Sequence, residues 1–167
     1  MGELLLPRDL ADLCAHALAL QKDAVGRFEA YAARMRELGA PEAAGMFEAL
    51  AAAQRVELGA LAATAGGDAT LPPWEYDWRA AYLGRPETAA PEGARDALAR
   101  ALAAGQRAET FYREVADHAR DPLVRGCADE MGQAERRLLQ QLEQLLARQA
   151  GSQGEGQVRR IIPPAHA

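Results

Sequence analysis

The sequence predicts an all-α protein: a four-helix bundle with one long crossover between its second and third helices. Three observations carry this. Of 167 residues, 39 are alanine and 21 leucine, against 2 isoleucines, 5 valines and 4 threonines. Strands are built from the β-branched types that are scarce here, and helices from the types that abound. Apolar residues recur at spacings of three and four along four long segments, the period of a helix with one buried face. Two of the three links between these segments are tight corners, while the middle link is long.

The first helix is expected over 9–38, with its stripe at Leu10, Cys14, Ala17, Ala24, Phe28, Tyr31, Met35 and Leu38. Gly39, Ala40 and Pro41 end it, and Pro41 suits the first turn of the next helix. The second helix is expected over 41–64, marked by Phe47, Leu50, Leu58 and Leu61, with Gly66 and Gly67 closing it. The third is expected from Pro91 or Glu92 to Arg120 and the fourth over 122–150. At the corner between them Asp121 is the expected cap and Pro122 the first helical residue.

Between the two hairpins, Pro72, Pro73, Pro86 and Pro91 exclude a single helix over the crossover at 66–92. Trp74, Tyr76, Trp78, Tyr82 and Leu83 are too apolar for a free tether. The segment is read as a packed crossover on the outside of the bundle, with a short helix around 77–83 and its tryptophans packed on helices. Residues 1–150, crossover included, form the expected bundle. Residues 151–167, with five glycines and prolines among them and no periodicity, form an expected flexible tail. Within it, 158–162 resembles a small docking peptide, disorder being the favoured alternative.

The two halves echo each other. Phe28 aligns with Tyr112, and the Pro41 and Pro122 corners correspond, which sets Leu50 against Met131 and Gln54 against Glu135. Each half is a helical hairpin that cannot bury its apolar face alone.

Several function classes are disfavoured. A net charge of −5 gives no reason to expect nucleic acid as a partner. No apolar run approaches the length of a membrane span. The N-terminus does not read as a signal peptide, since Pro7, Arg8 and Asp9 follow Leu4–Leu6 at once, so a cytoplasmic location is expected. Cys14 and Cys127 read as two buried thiols rather than a disulfide or a reactive pair. There is no phosphate-binding glycine loop, no Cys-x-x-Cys pair and no nucleophile elbow, and Ser152 is the only serine.

Following the stripes inward exposes polar residues at core positions: Gln21 in the first helix, Gln54 and Glu57 in the second, and Glu135 in the fourth. The third helix offers Gly105 beside Gln106, one turn before Glu109. Buried polar groups are costly unless hydrogen-bonded, so a network or held water is expected here.

Four stretches carry a resemblance. They are Ala17-Leu18-Ala19-Leu20-Gln21-Lys22-Asp23 through Phe28 and Tyr31, Phe47-Glu48-Ala49-Leu50-Ala51-Ala52-Ala53-Gln54, Gly105-Gln106-Arg107-Ala108-Glu109-Thr110-Phe111-Tyr112, and the turns from Met131 to Leu138. Together they resemble the ferritin-like superfamily, and within it the rubrerythrin-like group, over about residues 9–150 excluding most of the crossover. The resemblance implies a ferritin-like bundle with a di-iron site. That site takes one carboxylate from each of two helices and a Glu-x-x-His pair from each of the other two.

On this sequence the first single carboxylate falls on Gln21 and the first pair on Gln54 and Glu57. The second single carboxylate falls on Gly105, or on Gln106 if the register moves by one, and the second pair on Glu135 and Leu138. The resemblance therefore implies a degenerate site. No metal or other cofactor is expected. If iron or another divalent metal does bind, Glu57, Glu109 and Glu135 are its expected ligands, with Asp23 near the right level for a displaced site. His16, His118 and His166 read as structural or solvated, and Tyr31 and Tyr112 as core aromatics rather than redox tyrosines.

Three readings of function follow. The leading one is a binding or structural module, not an enzyme, that has lost its di-iron centre. The second is a metal-binding oxidoreductase or iron-binding protein with a nonstandard carboxylate set. The third is a small-ligand pocket in the bundle core at the Gln21–Gln54 level, where Gly105 either leaves room or lets helices pack closely. Alanine-rich helix faces favour self-association, for which a homodimer is the default. Neither nucleic acid nor membrane is expected as a partner, and the sequence names no protein or small molecule.

Overall fold

A computed structural model of the chain describes residues 6–65, 82 and 87–159, with 152–159 as backbone only. Among the described residues four long helices follow in order: α1 (Leu10–Glu37), α2 (Pro41–Ala65), α3 (Ala94–His118) and α4 (Pro122–Arg159). The architecture is the expected all-α four-helix bundle.

Helix boundaries follow from local chemistry. Asp9 caps α1, its carboxylate accepting from the Asp12 N–H at 2.8 Å. Gly39, with φ +70°, turns the chain out of α1 in a left-handed conformation that a side chain would resist. Its N–H donates to the Arg36 carbonyl and that of Ala40 to the Met35 carbonyl, which leaves Pro41 to start α2. At the last corner Asp121 Oδ1 accepts from the Leu123 N–H at 2.9 Å, and Pro122 is the first residue of α4. Helix α4 passes its expected end at Ala150 and runs to Arg159. Residues 151–159 include glycines but no proline, so no N–H is missing from the ladder. The remaining tail positions, His166 and most of the 158–162 segment included, lie outside the described residues.

α1 packs along α2 and α3 along α4, as two hairpins. Arg36–Glu48 and Arg55–Glu29 ion pairs bridge α1 and α2 across the buried alanines Ala32 and Ala51. Two apolar clusters then join all four helices. At one end Phe28, Tyr31 and Met35 meet Phe47 and Leu50 of α2, Leu98 of α3 and Leu142 of α4. At the other Leu13, Ala17 and Leu20 meet Phe111 and Val115 of α3 and Val124 and Ala128 of α4, with Leu61 of α2 beside them.

The order in which each helix visits these clusters gives its direction. α2 and α3 both run from the first cluster to the second, so they are parallel. The link between them must return along the whole bundle, which is why it is long. Most of that link, with Trp74, Trp78 and the expected short helix, lies outside the described residues. Its described parts rest on α1 and α3. The Tyr82 ring lies 5.1 Å from Phe111, and its hydroxyl donates to Glu114. Glu87 accepts from the Tyr31 hydroxyl and from Arg100, and Arg34 Nε donates to the Pro91 carbonyl at 3.0 Å.

Candidate functional site

Between the two apolar clusters lies a polar layer. Gln21 and Gln54 are buried in it, 9% and 8% exposed. The Gln21 Nε2 donates to Gln54 Oε1 at 2.6 Å and to the Gln54 backbone carbonyl at 3.2 Å. The expected network thus exists, as an amide pair that ties α1 to α2 at mid-height.

The corresponding level of the second hairpin holds Gly105 and Glu135. Gly105 is buried, and a Cβ built on it would stand 2.7 Å from Cδ2 of Leu139. Its lack of a side chain lets α4 approach α3, so of the two expectations for Gly105, close packing is the one observed. Gly132 repeats the device two turns earlier in α4, where a Cβ would meet Cβ of Tyr112 at 3.3 Å.

Glu135 occupies the centre. It lines a cleft of about 430 Å³ between α2 and α4, which Gln21, Gln54 and Tyr112 also line. It lines as well a small cavity of about 20 Å³ on the opposite side, with Asp23, Arg27 and Gly105. Burial pushes the Glu135 carboxyl up to about 7, with Arg27 drawing it down and Glu109 adding to the rise. Asp23 is already paired with Arg27. Tyr112 beneath the cleft is raised too, chiefly by burial and then by Glu135 and Cys14.

The remaining expected positions are dispersed. Glu57, expected inward, is exposed and stands at the wall of the α2–α4 cleft. The one-residue shift to Gln106 does not hold, since Gln106 is exposed. Glu109 is engaged by Arg136 at 3.3 Å and Arg113 at 3.5 Å. Leu138 packs against the first apolar cluster. Among the described residues no group of three or more His, Cys, Asp or Glu side chains is placed to hold a metal ion.

His16 is fully buried, its Nδ1 at 2.7 Å from the Asp12 carbonyl oxygen and its ring 5.6 Å from Phe111. His118 is exposed in the last turn of α3. Cys14 is buried and Cys127 half-buried, both as free thiols. Tyr31 and Tyr112 are buried among aromatics, Tyr31 against Phe47 and Tyr112 against Phe111.

Sequence reasoning missed Arg27, the cation that acts on Glu135. The signal was present in the Asp23–Arg27 spacing, but an i, i+4 pair ordinarily reads as solvated. It also missed Arg137, Thr64 and Gln141, which complete the cleft. No helix among the described residues is long and apolar enough to cross a membrane. The chain matches no protein-family model, and neither a curated protein nor a solved structure matches it significantly.

Proposed function

We propose that this chain is a ferritin-like protein of rubrerythrin-like ancestry that has given up its di-iron centre. It works as a non-catalytic binding module whose site is the cleft at the polar layer. The observation that carries this is the Gln21–Gln54 hydrogen bond, in which one neutral amide donates to another where the resemblance places anionic metal ligands. The cleft beside it combines apolar walls with a few convergent polar groups, the usual make-up of a small-molecule site.

The alternative, an iron protein or oxidoreductase using Glu57, Glu109 and Glu135, has less support. Glu57 is exposed and Glu109 is held by two arginines. Loading the purified chain anaerobically with excess iron, manganese or zinc, then desalting, tests the choice. The proposal expects metal well below one ion per chain. Stoichiometric retention, lost on substituting Glu135, would overturn it.

A cytoplasmic homodimer completes the proposal. Its support is the exposed face of α2, where Gly45, Ala49, Ala52, Val56, Gly59 and Ala63 recur at alternating spacings of four and three.

A further inference from the structure

We infer that the cleft between α2 and α4 takes a small organic cation, a primary ammonium on a short apolar body, which pairs with the carboxylate of Glu135. This rests on reading the cleft as the binding site and adds the ligand's chemical class.

The charges around Glu135 argue for it. From α1, Asp23 and Arg27 face it as a pair already joined to each other. From α3, Glu109 is bound to Arg113 and Arg136, and Tyr112 is held un-ionised by burial. Tyr82 of the crossover faces it with its hydroxyl committed to Glu114. From α2 comes Glu57, and from α4 itself Arg137. No hydrogen bond or ion pair to Glu135 is made by any described residue. Among the described residues the cleft therefore presents two carboxylates, Glu57 and Glu135, against one cation, Arg137.

The amide pair leaves one acceptor and one donor group unspent. Gln21 spends its NH2 on Gln54, so Gln21 Oε1 is left as an acceptor for the ammonium, while the Gln54 NH2 is left as a donor. An ammonium group has three donors and no acceptor, and it meets Glu135 and Gln21 Oε1 without conflict. A carboxylate in the same place would face Glu135, with the exposed Arg137 as the one cation among the described lining residues. Leu61, Met131 and Leu138 supply apolar wall for the ligand's body.

Near neutral pH the Glu135 carboxyl is partly protonated. When it is, the ammonium enters as R–NH3+ and the carboxyl O–H proton leaves to solvent, giving R–NH3+ paired with carboxylate. Binding then releases up to one proton and strengthens as pH rises through about 7.

The test uses the full chain and three probes of one size: n-pentylammonium, pentanamide and pentanoate. Binding is followed by calorimetry and by backbone amide NMR at about pH 6 and about pH 8, where linkage to one proton predicts roughly a tenfold change in affinity. The expected result is that pentylammonium binds tightest, more tightly at the higher pH, with proton release. Its shifts should centre on Ala53, Gln54, Ala60 and Ala134. Glu135→Gln should remove the pH dependence and bring the ammonium down to the level of the amide. Its fold is checked by circular dichroism, and Glu57→Gln, on the exposed wall, should keep the pH dependence. Pentanoate or pentanamide binding the cleft as tightly as pentylammonium would overturn the cation assignment and leave the cleft reading standing. Failure of all three to bind there would overturn both.

Discussion

Gln21 and Gln54, thirty-three positions apart in the chain, hydrogen-bond through their side-chain amides at 2.6 Å. Both are buried, with apolar clusters above and below. A neutral hydrogen-bonded pair in such a place leaves no charge to be offset, whereas carboxylates there would demand cations. The pair is thus compatible with a bundle that folds without metal.

Removing one partner should cost more than removing both. Gln21→Leu strands the Gln54 amide, and the expected loss is about 1–3 kcal/mol, as for an unsatisfied buried polar group. Gln54→Leu should behave alike. The double Leu variant should recover much of the loss, because both polar groups are gone. Urea unfolding of the four proteins measures this. Additive losses would show that the amides act independently.

Glu135 should make stability fall as pH rises. Its carboxyl is raised from 4.5 to about 7 in the folded chain, so between those values the folded state holds the proton more tightly than the unfolded one. The stabilisation is full below about 4.5 and is lost as pH passes through about 7. A shift of this size corresponds to at most roughly 3 kcal/mol, less where water enters the cleft. Glu135→Gln should flatten the profile in this window and exceed the wild type in stability at about pH 8. Denaturant midpoints across the range check both; a wild-type profile that rises there would contradict the assignment.

The glycines should separate by backbone conformation. Gly45 and Gly59 are exposed inside α2 with nothing within 4 Å of an added Cβ. Alanine at each should stabilise by about 0.5–1 kcal/mol, through the restricted unfolded chain and better helix propensity. Gly39 also has open space, but its φ is +70°. Gly39→Ala should destabilise by about 1 kcal/mol, because the left-handed region is unfavourable to a Cβ. Melting temperatures should rise for the first two and drop for the third.

The end of the crossover should loosen when its anchor is cut. Glu87 is held by Tyr31 and Arg100 together. Tyr31→Phe keeps the ring in the core and removes the hydroxyl, so the expected cost is about 1 kcal/mol. Hydrogen exchange should quicken at residues 87–93 while the centre of α2 is unaffected.

Much of the fold was legible because it depends on local chemistry. Gly39 and Pro41, and Asp121 and Pro122, act within a turn of where they stand, so both tight corners appeared at their expected places. The stripe of α1 was readable over Phe28, Tyr31 and Met35, which are buried while Arg36 and Glu37 are exposed, but its expected last position, Leu38, is exposed. The first half of α1 was less readable: Leu13 through Leu18 are buried without interruption, which no one-sided stripe describes. The end of α4 was misjudged because glycine weakens a helix without forbidding it.

The site was legible only in part, and α2 shows why. Gln54 is inward as expected, but Glu57, three positions on, is outward. α2 carries alanine on every side, with Ala51 buried and Ala49, Ala52 and Ala53 exposed, so its pattern scarcely distinguishes the buried face from the open one. Residue order alone sufficed for the helices, their corners and the need for a long return, since period, capping and link length are properties of neighbours in the chain. Tertiary structure decided that Gln21 meets Gln54, that Leu139 closes over Gly105, and that Glu135 lies between a cleft and a cavity. Those outcomes depend on how each helix is rotated about its axis and how closely the two hairpins approach, which is set by packing among residues distant in sequence.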